Sequence, residues 1–185
     1  MSMIKNINKL SQSEFVKVFG NIFENASWIA KDVYNEKPFK DFADLSQKML
    51  SIFSTSTKEN QLKILKAHPD LADKTKIGSL TPDSKKEQSN AGLDQCSEEE
   101  FNEFKNLNNE YKKKFGFPFI YAVKGKEKKD ILSNFRQRSS NNIDVEFIEA
   151  KKQVKTIASL RLNKINKKWK KFFLKMEWLT LLNQD

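Results

Sequence analysis

The amino-acid sequence predicts an all-α fold: a single compact multi-helix domain of about seven to nine helices, with one short extended segment over 117–123. Three observations lead there. Five glycines and four prolines among 185 residues give too little turn punctuation for a β sandwich, which needs a signal every ten residues or so. Apolar residues recur at helical spacing behind recognisable start signals. A hydrophobic content of 38% beside 31% charged residues belongs to a folded globular chain, neither disordered nor membrane-embedded.

The elements follow in order. Ser11 to Glu14 is an S-x-x-E capping box, and Phe15, Val18, Phe19, Ile22 and Phe23 continue at helical spacing, so the first helix starts near Gln12. A second runs about Phe42 to Phe53 after Pro38-Phe39. A third, Lys58 to Ala67, stops because Pro69 disfavours helical geometry at His68. Thr81 and Pro82 read as N-cap and first helical residue, with Gly92 just past the end, giving a short helix from Pro82 to Ala91. Ser97 to Glu100 is a second capping box. It opens a helix whose Phe101, Phe104, Tyr111 and Phe115 form an apolar stripe ended by Gly116. Phe117 to Val123 is apolar but broken by Pro118, which suits buried extended chain. Helices over about Lys128 to Arg138 and Ile143 to Ile165 complete the domain, 1–165. Beyond it, 166–185 is a basic, aromatic helical tail in which Trp169, Phe172, Phe173, Met176 and Leu179 fall on one face.

Composition excludes several function classes. One cysteine, Cys96, rules out an internal disulfide and a CxxC metal site, and nothing beside it in sequence lowers its pKa toward a nucleophile. The formal charge of +10 would suit nucleic acid, but the excess is lysine spread along the chain. Arginine occurs only at Arg136, Arg138 and Arg161, so no nucleic-acid partner is expected. No apolar run approaches the roughly 18 residues of a membrane span, and the first nine residues lack a signal-peptide core. The last three residues, Asn183-Gln184-Asp185, are not an SKL-type peroxisomal address, so a cytoplasmic location is expected.

Chemistry concentrates in a few positions. His68 is the only histidine, hence the one side chain whose unperturbed pKa lies between pH 5 and 8. A proton-transfer role and a plain contact with the helix C-terminal dipole both fit that position. Ser84, Glu87 and Gln88 share one helix face. They present a hydroxyl, a carboxylate and an amide either to a cavity or to solvent. Arg161 sits on the apolar stripe of its helix, three, four and seven residues after Ala158, Ile157 and Val154 and four before Ile165. A guanidinium there answers either a structural carboxylate or an anionic ligand. Arg136 and Arg138, at a polar helix end, read as structural or surface groups.

The constellation Ala67-His68-Pro69-Asp70-Leu71, Ser84-x-x-Glu87-Gln88-x-x-Ala91-Gly92-Leu93, Phe115-Gly116-Phe117-Pro118-Phe119-Ile120 and Ile157-Ala158-x-x-Arg161-Leu162 resembles the 2-oxo-4-hydroxy-4-carboxy-5-ureidoimidazoline (OHCU) decarboxylases. Glu24-x-x-x-Trp28-Ile29-Ala30 and Lys37-Pro38-Phe39 extend the resemblance to about residues 8–165. It implies decarboxylation of this urate-derived intermediate to (S)-allantoin and carbon dioxide, with no metal and no organic cofactor. It also implies that His68 is the acid/base, supported by Glu87, and that Pro69 fixes the backbone presenting it. Ser84 and Gln88 would hold ring or ureido groups, Arg161 a substrate oxygen, and Phe117, Phe119 and Ile120 would line the pocket. The substrate is a small anion, and a homodimer is possible. The tail has no counterpart in the resemblance; docking of its amphipathic face on a partner protein or an anionic membrane is the rival reading, and packing against the chain itself the plain one.

Overall fold

In a computed structural model the described residues are 3–73 and 80–182, with side chains to residue 172. They form α1 (Met3–Lys9), α2 (Gln12–Phe19), α3 (Ser27–Tyr34), α4 (Phe42–Thr55), α5 (Lys58–Ala67), α6 (Pro82–Asn90), α7 (Glu98–Phe115), α8 (Lys128–Ser139) and α9 (Ile143–Leu182). A short 3₁₀ turn, Leu93–Gln95, follows α6, and no strand occurs among the described residues. The fold is all-α.

The local signals act as written, except that α2 stops at Phe19 with Gly20 as its C-cap, so Ile22 and Phe23 of the expected stripe are buried beyond the helix. Both capping boxes close: Ser11 N donates to Glu14 Oε2 at 2.8 Å and Ser97 N to Glu100 Oε2 at 2.9 Å, while each serine hydroxyl accepts the glutamate N–H. Thr81 caps α6 through the Ser84 N–H at 3.3 Å, with Pro82 at its first position. Gly116 ends α7 at φ 77°, a left-handed conformation that costs glycine nothing. Helices α1 and α3 lay outside the sequence expectation: α1 buries only Ile7, and the N-cap of α3, Ala26, makes no side-chain capping bond. The last helix, expected over 143–165, continues unbroken to Leu182, because no glycine or proline interrupts the chain there.

The chain divides into two compact units, Met1–Thr57 with Ile157–Asp185, and Lys58–Thr156. In the first, α2, α3 and α4 pack in succession. Phe15, Phe19, Phe23 and Phe53 are nearly fully buried, and the ring pairs Phe15–Phe19 and Phe23–Phe53 lie 4.6 and 5.2 Å apart. Asn8 pins the entry to α4 by two 2.9 Å bonds to the main chain of Phe39, which follows a cis Lys37–Pro38 bond. In the second unit Phe104, Tyr111, Phe119 and Phe135 form the core, with Phe119 stacked on Phe135 at 3.9 Å. No helix of the described residues is long and apolar enough to cross a membrane.

Truncating Phe135 removes a ring that meets Phe104, Tyr111 and Phe119. The expected outcome for Phe135→Ala is a loss of about 3–5 kcal/mol, measured by urea unfolding with circular dichroism; a loss below 1 kcal/mol would contradict this packing.

Candidate active site

The second unit presents His68 just past the end of α5, where its N–H closes the helix on Leu65 O at 3.2 Å. The imidazole is buried, and Nδ1 lies 2.8 Å from Ile64 O. A carbonyl oxygen can only accept, so Nδ1 carries the hydrogen and in the neutral ring the lone pair lies on Nε2. One ring nitrogen is thereby engaged with the main chain.

The backbone after His68 is tied down from two other helices. Gln88 on α6 spans two peptides of the loop: its Nε2 donates to Asp70 O at 3.1 Å and its Oε1 accepts from Ala72 N at 3.0 Å. Asn108 on α7 donates to Leu71 O at 2.9 Å. One turn further along α7, Lys112 pairs with the buried Asp70 carboxylate at 2.6 Å. Ala72 sits at φ 56°, a left-handed conformation that a non-glycine residue keeps only where its surroundings impose it. Pro69 is half-buried within this clamped stretch.

The shared face of α6 turns inward, since Ser84 and Gln88 are buried and Glu87 half-buried, while Lys85, Lys86, Ser89 and Asn90 are exposed. The two Gln88 bonds leave that amide one N–H and one lone pair by count. A cavity of about 190 Å³ adjoins α6, lined by Ala72, Leu80, Lys85, Gln88 and Leu93 among others; neither His68 nor Glu87 lines it.

Phe117, Phe119 and Ile120 are buried in a stretch without regular secondary structure. Its main chain is held from α8 and α9: Arg138 Nη1 donates to Ile120 O at 2.8 Å, and Gln153 Oε1 accepts from Ala122 N at 3.1 Å. The Arg138 guanidinium also lies 4.6 Å over the Phe119 ring and pairs with Glu146, which in turn receives the Tyr111 hydroxyl and Asn141 Nδ2.

Arg161 belongs to the first unit, where it is buried and its Nη1 donates to Asn21 O at 3.3 Å, Ile22 O at 3.5 Å and Glu24 Oε2 at 3.1 Å. Of the two readings its stripe position left open, the structure supplies a carboxylate. Sequence reasoning missed Asn108, Lys112, Glu146 and Gln153 and understated Arg138. A signal existed for three of them. Asn108 lies four residues after Phe104 and three before Tyr111, Arg138 three after Phe135, and Glu146 four before Ala150, so each occupies an apolar stripe as Arg161 does.

A helical scaffold thus spends hydrogen bonds from two helices on one histidine-bearing loop and engages Nδ1 of that histidine with the main chain. The profile of the OHCU decarboxylase family matches residues 8–163, and the chain belongs to that family. It is 35% identical over 162 residues to the 2-oxo-4-hydroxy-4-carboxy-5-ureidoimidazoline decarboxylase of Halalkalicoccus jeotgali, with 88% of this chain and 90% of that protein covered. It is 40% identical over 165 residues to the uric acid degradation bifunctional protein of a Bacillus species; there the match covers 89% of this chain but spans only 32% of the relative's length. A solved OHCU decarboxylase, determined in the presence of (S)-allantoin, superposes with a TM-score of 0.63 at 25% identity, covering 84% of this chain and 98% of that one.

Burial, and then the bond to Glu146, push the Tyr111 phenol well above its ordinary value of 10.0. Below pH 10 the folded and unfolded chains both keep that proton. Above it the unfolded chain releases the proton and the folded chain does not, so stability falls as pH rises past 10. Absorbance at 295 nm should show Tyr111 ionising only as the chain unfolds; a Tyr111→Phe chain should lack that component, and reversible ionisation of Tyr111 in the folded state would refute the burial.

Proposed function

We propose that the chain catalyses the cofactor-free decarboxylation of 2-oxo-4-hydroxy-4-carboxy-5-ureidoimidazoline to (S)-allantoin and carbon dioxide in uric acid degradation. Membership of the family supports the reaction, and the 2.8 Å bond that fixes the His68 tautomer is the observation that carries the mechanism. When the carbon–carbon bond to the carboxylate breaks, the electron pair flows into the adjacent imine, whose nitrogen takes up a proton, and leaves an enol. The substrate is thus its own electron sink, and protein groups need only position it and move protons. The ring hydroxyl then gives up its proton to become the carbonyl, and protonation of the neighbouring ureido-bearing carbon from one side gives the (S) product.

His68 acts as the acid/base through Nε2, with Glu87 supporting it. Pro69 holds the presenting backbone rigid. Ser84 and the remaining amide capacity of Gln88 hold ring or ureido groups, the main chain around Phe117, Phe119 and Ile120 lines the pocket, and Arg161 takes an electronegative substrate oxygen. Residues 1–165 carry this activity; residues 166–185 are an appendage to it.

The intermediate can be generated in situ from urate with urate oxidase and a hydrolase, and (S)-allantoin followed by circular dichroism. His68→Ala is expected to lose at least about 100-fold of the rate, in line with general acid–base catalysis, while remaining folded. Glu87→Ala should lose activity without unfolding. Arg161→Ala should lose both activity and stability, since it removes one member of a buried ion pair together with its bonds to Asn21 O and Ile22 O. Full rate in His68→Ala, or racemic unaccelerated product with the natural chain, would sink the proposal.

A second reading concerns the tail, where the side chain of Phe172 is 58% exposed among lysines; Phe173, Met176 and Leu179 of the expected stripe lie outside the described side chains, as do Asn183, Gln184 and Asp185 outside the described chain. An amphipathic end of this kind could dock on an anionic membrane or a partner protein. A chain ending at residue 165 should keep full decarboxylase activity. Equal flotation of the intact and shortened chains with anionic liposomes would remove the membrane reading.

A further inference from the structure

The stretch 117–123 is largely buried yet lies in no helix or strand, and side chains from α8 and α9 hold two of its peptide groups, Ile120 O and Ala122 N. Arg138 is 5% exposed and Glu146 fully buried. A buried ion pair of this kind is a costly way to fill a core, and apolar residues of similar volume would generally stabilise as well or better. Its use is more readily understood as geometric. The planar guanidinium makes three fixed engagements, with the Glu146 carboxylate, the Ile120 carbonyl and the face of Phe119. It therefore sets both the ring plane of one pocket residue and the peptide plane of the next. Glu146 is itself fixed by Tyr111 and Asn141, so the guanidinium is not free to turn. Two residues after Ile120, the Ala122 N–H is held by Gln153, itself oriented by a 2.7 Å bond to Glu149 Oε1.

We propose that Arg138, with Gln153 beside it, is a positioning residue that fixes the Phe119–Ala122 main chain against which the ureidoimidazoline ring is seated. Neither side chain contacts substrate in this assignment; both act through the backbone they hold. The assignment rests on the decarboxylase reading of the site. It separates two roles within one buried network: Tyr111 stabilises the Glu146 end, whereas Arg138 and Gln153 bear on substrate.

The test uses steady-state kinetics on the in situ generated intermediate, with thermal unfolding and the enantiomeric excess of allantoin measured alongside. Arg138→Lys keeps a cation for Glu146 but not the fork, so KM should rise about tenfold with kcat within about threefold, the pattern of lost binding geometry. Gln153→Ala leaves the ion pair intact and should raise KM in the same sense by a smaller factor. Tyr111→Phe should lower the unfolding temperature and shift KM less than Gln153→Ala does, since Asn141 still holds Glu146. Should Arg138→Lys fail to fold, Gln153→Ala decides: unchanged KM and enantiomeric excess overturn the assignment. Folded Arg138→Lys with unchanged KM overturns it equally. An inactive natural chain would remove the decarboxylase reading and the assignment together, whereas an active natural chain with insensitive variants removes the assignment alone.

Discussion

The amide of Gln88 bridges two peptides of the loop that carries His68, accepting from Ala72 N and donating to Asp70 O. The rest of the site depends on this pair of bonds. A helix end followed by proline leaves backbone groups with no helical partner, and in a buried setting each unmet group costs roughly 1–3 kcal/mol. Gln88 meets two such groups of the loop that follows, Asp70 O and Ala72 N, with one planar group and so restrains the path of the chain after the histidine. Asn108 and Lys112 complete the restraint from α7. The histidine then needs only its own contact with Ile64 O to have a defined ring orientation and tautomer.

The same requirement explains the other irregular stretch. Residues 117–123 run through the second unit without a ladder or helix of their own, and Arg138 and Gln153 supply what secondary structure would have supplied. Both stretches that bear on the proposed chemistry are therefore non-helical backbone held by helical side chains. In the proposed reaction this arrangement would let an all-helical protein offer main-chain groups and a held imidazole to the substrate, which helices alone, with their backbone groups internally bonded, do not.

Much of this was legible in the sequence. The capping boxes at Ser11 and Ser97, the Thr81-Pro82 start and the Gly116 stop placed α2, α7 and α6 closely, because caps depend on residues within one turn of each other. His68-Pro69 placed the end of α5 for the same reason. Helices α1 and α3 were not legible, as neither has a side-chain cap and α1 buries a single residue. Among site residues, periodicity left the inward turn of α6 open, and only the sharing of one face by Ser84 and Gln88 followed from it. The partners of that face did not. Asn108, Arg138 and Glu146 each broke an apolar stripe in plain view, but a stripe tells only that a polar group is buried, not which carbonyl or carboxylate it meets.

Sequence by itself thus determined the helical class, most helix boundaries, the presence of a single histidine at a helix end, and the family. These are set by local geometry, by residue count and by ordered motifs. Tertiary structure alone decided that Gln88 reaches back 16 and 18 residues to clamp the His68 loop, that Arg138 closes on Ile120 O at 18 and Glu146 at 8, and that Arg161 meets Glu24 at a separation of 137. Such pairings are fixed by the packing of helices in three dimensions. No periodicity along the chain encodes which buried donor will find which buried acceptor.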